Sequence, residues 1–158
     1  MSFKIQKESF IDNIYQLEPL FDDHYIEVSR HYQHAIPLEP DYDRYAEFEK
    51  ADALVFLTLR YEGALAGYFN GVITRSLHYK SCLQFTTDLL YVSIPYRGNR
   101  KGLNGADLLI EKAKEIGKDR GCKVFDCNFK FARAIHMQKL LERQGFEPFE
   151  AHWTYWYD

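Results

Sequence analysis

The sequence has 158 residues, of which 46% are hydrophobic and 27% charged, the proportions of an ordinary soluble globular protein. A chain of this length predicts a single domain spanning residues 1–158, long enough to bury a substantial core. Its formal net charge of −3 disfavours a protein that binds nucleic acid through general electrostatics.

The first predicted elements are a short strand over Lys4–Lys7 and an amphipathic helix. Ser9 and Asp12 have the spacing of a capping box, with Asp in place of Glu, which predicts a helix that starts near Phe10. Pro19 interrupts the helical pattern and predicts either a kink or two consecutive helices. The apolar positions recur at steps of three and four residues and comprise Ile11, Ile14, Leu17, Phe21, Tyr25 and Val28.

The C-terminal part of this helical pattern carries a polar face. His24, Glu27, His31 and His34 are spaced 3, 4 and 3 residues apart, which stacks them on one side of a helix. Such a face can relay protons, hold an amine or bind a metal, and the alternative is a polar, partly exposed surface beside the apolar stripe. Because the H-E-x-x-H spacing of zinc-binding helices is absent, we predict no metal site.

A loop, a short helix and a hairpin follow. Ile36–Asp41 contains two prolines and is predicted as a loop, and Tyr42–Lys50 as a short helix. Ala53–Tyr61 is predicted as a buried strand, Glu62-Gly63 as a turn, and Ala64–Thr74 as the second strand. The close spacing of the two strands predicts antiparallel pairing.

Next, an apolar strand over Leu83–Val92 leads into a basic turn and a helix from about Asn104 to Lys118. Unpaired N–H groups in such a turn, with the positive end of the helix dipole, form a seat for an anion such as a phosphate. The alternative is a tight connection whose charges are solvated. Neither G-x-G-x-x-G nor G-x-x-x-x-G-K-S/T occurs, so neither a Rossmann site nor a P-loop is predicted. The basic and glycine residues concerned are Arg97, Gly98, Arg100, Lys101, Gly102 and Gly105.

The last third of the chain predicts a strand, a helix and a final strand. Gly121 is expected to end the preceding helix, and Val124–Asn128 to form a strand parallel to the one before it, because the chain returns through a helix. Phe131–Arg143 is predicted as a helix with Gly145 as its C-cap. His152–Tyr157 alternates weakly and is predicted to close the sheet.

The basic turn resembles a motif of the GNAT superfamily of N-acetyltransferases. Val92–Gly102 is similar to the family's acetyl-CoA-binding motif, Q/R-x-x-G-x-G/A between a strand and a helix. Arg97 matches its first position and Gly102 its last, whereas Arg100 stands where a glycine is usual.

Other segments extend this resemblance over nearly the whole chain. Leu140–Phe146 is similar to the family's closing L-x-x-x-G-F segment, although Leu141 stands where many members have a tyrosine that acts as general acid. Glu18–Glu27 and Leu65–Tyr68 resemble segments of small acetyltransferase-like proteins encoded by bacteriophages.

The resemblance implies an α+β fold with a mixed, mostly antiparallel central sheet, one parallel strand pair and helices on both faces. It also implies acetyl-CoA as co-substrate and direct transfer of the acetyl group to a primary amine in a ternary complex. In such folds the strand before the turn separates from its parallel neighbour and exposes backbone to the pantetheine arm. The matching cofactor-binding positions are Leu90, Tyr91 and Val92 on the strand, Arg97, Gly98, Asn99, Arg100, Lys101 and Gly102 in the turn, and Asn128 after the next strand.

Four titratable residues are candidates for proton transfer. Asp88 lies four residues before Val92, so strand alternation predicts that the two side chains share a face. Desolvation in a half-buried strand raises the pKa of a carboxylate and suits it to accept a proton, and the alternative is that Asp88 caps or pairs with a neighbouring arginine. Glu27 and His24 are rival bases, and His136 is the candidate acid, with a surface histidine as the alternative.

The cysteines and the apolar runs predict the compartment. Cys82, Cys122 and Cys127 cannot all pair within one chain and form no C-x-x-C, which favours a reducing cytoplasm, the host's if the protein is phage-encoded. No run approaches about 18 apolar residues and Met1–Phe10 lacks a signal-peptide core, so no membrane association is expected. Cys127 is expected to be a small buried thiol and not an acyl-enzyme nucleophile.

Two other functions stay open at this point. One is a GNAT-like domain that has lost catalysis and serves as a binding or structural protein, which the missing tyrosine and loop glycine favour. The other is a phage enzyme that modifies nucleobases, which the acidic net charge disfavours. The acceptor is either a small-molecule or a protein amine, nucleic acid is not expected, and a homodimer is left open.

Overall fold

A central sheet organises the protein. A computed structural model describes residues 2–29, 36–98, 105–130, 134–150, 152 and 154–155, and within them the sheet has five strands that lie side by side in chain order. The first four strands are antiparallel to their neighbours, and the fourth and fifth are parallel. The strands are β1 (Phe3–Lys7), β2 (Leu54–Tyr61), β3 (Ala64–Arg75), β4 (Leu83–Val92) and β5 (Val124–Asp126). The helices are α1 (Ile14–Val28), α2 (Tyr42–Lys50), α3 (Gly105–Asp119) and α4 (Ala134–Arg143). The predicted α+β class, with one parallel strand pair, is confirmed.

The sheet carries a separate apolar core on each face. Successive strand residues alternate between the faces, so Tyr68 and Phe69 belong to different cores. The core under α1 and α2 comprises Phe10, Leu17, Phe21, Leu54, Phe56, Tyr68 and Tyr91. The core under α3 and α4 includes Leu57, Leu59, Phe69, Phe85, Leu90, Val92, Leu109, Ile110 and Leu140.

The entry to α1 is fixed from α2 and not by a reciprocal local box. Ser9 Oγ accepts from the N–H of Asp12 at 3.2 Å, as the predicted box requires. The second half of the box comes from Glu49 on α2, whose carboxylate accepts from Phe10 N–H at 2.6 Å and from Ser9 Oγ at 3.1 Å. A short 3-10 turn, Ile11–Asn13, therefore precedes α1.

Helix α1 runs through Pro19 as a single element, so the predicted alternative of two helices is wrong. Proline removes the bond to the carbonyl four residues earlier, that of Tyr15. Because Tyr15 is exposed, water can serve that carbonyl, and the break costs little.

The turns lie where the sequence predicts them. Glu62 and Gly63 both have positive φ, 51° and 86°, the backbone of a two-residue hairpin turn between β2 and β3. Gly121 and Gly145 end α3 and α4 as predicted, at φ of 75° and 81°.

The predicted boundaries at Asn104 and Phe131 lie outside the described residues. So does most of the predicted strand His152–Tyr157, of which the three described residues, His152, Thr154 and Tyr155, are in no strand. Within the described part of the chain, no helix combines the length and apolar character needed to cross a membrane.

Candidate active site

Strands β4 and β5 pair over a short distance and then separate. Their ladder joins Gln84 to Val124 and continues only to the pair Thr86 and Asp126. Within the described residues, β4 continues to Val92 without β5 beside it. A parallel pair that opens in this way exposes a strand edge to a ligand, as the family resemblance implies.

The peptide groups of β4 divide between its two neighbours. Ser93 N–H donates to Ala66 on the β3 side at 2.9 Å. Because alternate residues of an antiparallel strand direct their peptide groups to the same neighbour, Tyr91 faces β3, and Leu90 and Val92 face the opening. Of the three predicted cofactor-binding strand positions, Tyr91 is therefore directed away from the opening.

A β-bulge interrupts β4 at Asp88. The ladder between β3 and β4 pairs Asn70 with Leu89 and Gly71 with Thr87, so Asp88 is an extra residue on β4. A bulge of this kind bends the strand and redirects a side chain, and bulges are frequent beside active sites.

The bulge changes the face on which Asp88 lies. Val92 belongs to the core under α3, whereas the Asp88 carboxylate accepts a hydrogen bond from Tyr45 of α2, on the opposite face. The prediction that Asp88 and Val92 share a face is wrong, because the extra residue shifts the alternation between them. Asp88 instead shares the α1 and α2 face with Tyr91.

Asp88 lies in a cleft of about 550 Å³ between α2 and the sheet, which we call the α2 cleft. The Tyr45 hydroxyl donates to Asp88 Oδ2 at 2.5 Å, and the Tyr45 ring stacks on Phe10 at a centroid distance of 4.3 Å. That stacking holds the Tyr45 hydroxyl in position to donate to Asp88. The cleft is lined by Glu39, Pro40, Asp41, Arg44, Tyr45, Phe48, Val72, Thr86, Thr87 and Asp88.

The pKa shifts of Asp88 and Tyr45 in the α2 cleft suit proton transfer. Although Asp88 has surface open to the cleft, burial of its carboxylate raises its pKa above the ordinary aspartate value, against the opposing effect of the Tyr45 hydrogen bond. Burial and the Asp88 charge raise the pKa of Tyr45, so Tyr45 stays a protonated donor. No local pattern predicts this partner of Asp88, because the two residues are 43 positions apart in sequence.

The predicted polar face of α1 is a packing face where it is described. His24 is buried, its Nδ1 lies 2.9 Å from the Tyr68 hydroxyl, and its ring stacks on Tyr91 at 4.8 Å. Both oxygens of Glu27 accept from the guanidinium of Arg97, at 3.2 and 2.6 Å. His31 and His34 lie outside the described residues.

Arg97, one of the basic residues of the predicted anion turn, already has partners within the protein. Its Nε donates to the Val92 carbonyl at 2.6 Å, its two terminal nitrogens bind Glu27, and the guanidinium lies 5.2 Å above the Tyr91 ring. The group is therefore held within the protein. Gly98, at φ 61°, turns the chain after it. The remaining turn positions, Asn99, Arg100, Lys101 and Gly102, lie outside the described residues.

A second cleft of about 450 Å³ lies beyond β5 and is called here the β5 cleft. Asn128, two residues beyond the end of β5, lines it, and so does Leu141, which offers no proton donor. Burial raises the pKa of Cys127, another lining residue, to about 11, so its thiol is protonated at neutral pH and is a poor nucleophile. His136 is exposed on α4 and lines neither cleft.

Metal ligation finds no support in the part of the chain that the structure describes. No group of three or more His, Cys, Asp or Glu side chains there is arranged to hold an ion. The three cysteines are free thiols.

Comparisons with known proteins give structural matches alone. No family model and no curated protein matches the chain. A ribosomal-protein-alanine N-acetyltransferase from Brucella melitensis biovar Abortus 2308 is similar at TM-score 0.73 and 17% identity, over 99% of this chain and 100% of that one. Glucosamine-6-phosphate N-acetyltransferase from Arabidopsis thaliana is similar at TM-score 0.70 and 15% identity, over the whole of both chains.

An aminoglycoside N-acetyltransferase, AAC(6′)-Iy, solved with the bisubstrate analogue CoA-S-monomethyl-acetylneamine, is similar at TM-score 0.68 and 17% identity, over 100% of this chain and 99% of that one. At these identities the likenesses establish the fold. The chain has the GNAT fold.

Proposed function

We propose that this protein is an N-acetyltransferase that uses acetyl-CoA and transfers the acetyl group to a primary amine by direct attack in a ternary complex. The observation that carries the proposal is Asp88. It is a carboxylate of raised pKa, placed by a bulge in a cleft beside the strand whose far half has separated from β5. The GNAT fold shared with N-acetyltransferases supports it.

In the proposed reaction, each of the site residues named below has one part. Acetyl-CoA supplies an activated acyl thioester. The peptide groups of Leu90 and Val92, together with Asn128, border its pantetheine arm. Asp88 takes the proton that the acceptor ammonium must lose before its nitrogen can attack, and Tyr45 holds the Asp88 carboxylate in place.

Other predicted residues change role or stay predictions. In this proposal Glu27 serves as the ion-pair partner of Arg97 and His24 packs on Tyr91, so Asp88 and neither of these is the base, and His136, which lines neither cleft, is not the acid. Seating of the diphosphate on residues 99–102 stays a prediction. So do the phage resemblance, a cytoplasmic location and a homodimer.

One observation favours the alternative of an inactive binding domain. Leu141 lines the β5 cleft where a tyrosine would give a thiolate leaving group its proton. The leaving thiolate would then take its proton from water, or turnover would be absent.

Binding and turnover together test the proposal. Acetyl-CoA and CoA should raise the thermal midpoint, since a ligand at 100 times its Kd adds about 2.7 kcal/mol to the stability of the folded state. Incubation with acetyl-CoA and a panel of primary amines should release free CoA thiol and give acetylated product by mass spectrometry. A thermal shift without product identifies the inactive binding domain. No shift at millimolar CoA contradicts both the N-acetyltransferase and a binding domain for CoA.

A further inference from the structure

We infer that the acceptor is a small aliphatic amine that carries a second positive charge and no anionic group. The inference rests on the proposed function and adds the chemical class of the acceptor. It follows from the charge and the shape of the α2 cleft and from one buried amide behind it.

The charges lining the α2 cleft are mostly negative. Glu39, Asp41 and Asp88 supply three carboxylates, and Arg44 is the basic residue among the ten that line it. The Arg44 guanidinium lies 5.8 Å above the Phe48 ring, which occupies it within α2. An anionic acceptor would face uncompensated repulsion there, whereas an ammonium gains a partner at each carboxylate.

The carboxylates lie at two levels of the cleft. Asp41 caps the N-terminus of α2, where it accepts from Arg44 N–H at 3.0 Å. Tyr45 follows one turn later, about 6 Å along the axis, and its hydroxyl reaches Asp88. An ammonium at Asp88 therefore leaves the other end of a short chain near Asp41 and Glu39. Tyr45, Phe48 and Val72 provide apolar surface for the hydrocarbon between the two charges.

A buried amide lies behind the Asp88 end of the cleft. Asn70 is 1% exposed and is not among the residues that line the cleft, and its side chain makes no well-aligned hydrogen bond with the described residues, although it lies beside the Tyr45 hydroxyl. Two residues before Val72 on β3, it lies on the same sheet face. Because buried amides are normally satisfied, an amine nitrogen that reaches Asp88 would find an acceptor in the Asn70 carbonyl oxygen behind the cleft wall.

The test compares putrescine with butylamine, which has the same carbon chain and a single charge. Isothermal titration of the protein without acetyl-CoA should give putrescine a Kd at least about ten-fold lower, the effect of roughly 1.4 kcal/mol from one added ion pair. Glucosamine-6-phosphate, the sugar phosphate after which one structural neighbour is named, should bind more weakly than either amine.

Charge-removing variants locate the effect. The double variant Glu39→Gln, Asp41→Asn keeps shape and an N-cap residue at position 41, and it should abolish most of the preference for putrescine. Asp43→Asn removes a charge from α2 outside the cleft lining and should leave the preference intact. Equal affinity for the two amines in the wild type, or a preference that survives in the double variant, overturns the inference. Putrescine binding with the expected preference but without acetylation supports the cleft assignment and counts against the proposed enzyme.

Discussion

Asp88 is the residue on which the proposed chemistry depends. An amine with a pKa near 10 must lose a proton before it attacks, and Asp88→Asn removes the acceptor of that proton while it keeps an oxygen for the Tyr45 hydrogen bond. We expect turnover to fall by about 10²-fold or more, with the affinity for acetyl-CoA unchanged. Steady-state kinetics and titration with CoA measure the two quantities. Full turnover in Asp88→Asn would place the base elsewhere.

Tyr45 tunes that base. Its hydrogen bond lowers the pKa of Asp88 against the larger effect of burial, so Tyr45→Phe should raise the Asp88 pKa further. Because the base must be ionised to act, the acidic limb of the kcat/KM profile should move to higher pH. Tyr42→Phe, on the same helix, loses only a 3.4 Å contact with Glu18 and is the matched control. Coincident limbs in Tyr45→Phe and wild type would show that Tyr45 does not act on the base.

Residue identity was easier to predict from the sequence than residue direction. Its residue type and its place in a strand mark Asp88 as a candidate base, but strict alternation predicts the wrong face for it. The sequence does hold a trace of the bulge, since Thr86-Thr87 and Leu89-Leu90 are doublets that break the alternation. Tyr45 left no trace, because the contact depends on how α2 packs on the sheet.

At the scale of elements, the ion pair between Glu27 and Arg97 ties α1 to the end of β4. The side chains are 25% and 33% exposed, so we place the pair between surface and buried ones and expect Glu27→Gln to cost about 1–2 kcal/mol of stability. Arg97 is also the first residue of the predicted cofactor turn, so CoA affinity should fall several-fold. Thermal unfolding and CoA titration check both effects.

The control for this pair is Asp23→Asn, which removes an exposed charge from the same helix. It should change neither quantity. If Glu27→Gln changes only the KM for the acceptor, the helix face holds the substrate, as the sequence interpretation allowed, and the pair does not support the cofactor turn.

Strands and turns were more predictable than helix entries. The limits of β2, β3 and β4 follow from apolar runs bounded by turn residues, and Gly121 and Gly145 mark helix ends at positive φ. Glu49 illustrates what local patterns cannot show. The acidic partner of the Ser9 cap comes from a helix about 40 residues away in sequence. The local spacing therefore points to Asp12 as that partner, although the structure uses Glu49.

For the whole molecule, Asp88 links activity to stability. Burial raises its pKa in the folded state, so the folded protein binds that proton more tightly than the unfolded chain does. The wild type therefore loses stability as pH rises from the ordinary aspartate value, about 4, through the folded pKa. Asp88→Asn has no such loss. It should be the more stable protein at neutral pH, with the advantage vanishing below about pH 4.

Denaturant unfolding of both proteins across this pH range measures the difference. A stability difference between the two proteins that does not change with pH would mean that the pKa of the Asp88 carboxyl is not raised.

The bulge at Asp88 also makes the length of β4 more important than its composition. Before it, an odd-numbered residue, Phe85, faces α3, and after it the even-numbered Leu90 and Val92 do. Deletion of Asp88 would remove the bulge and bring Thr87 and Leu89 opposite consecutive residues of β3, so Leu90 and Val92 would stay in the core under α3. Deletion of Leu90, beyond the bulge, would instead move Tyr91 into that core and Val92 out of it. The same loss of one residue is therefore tolerable at Asp88 and exchanges two hydrophobic layers two positions later.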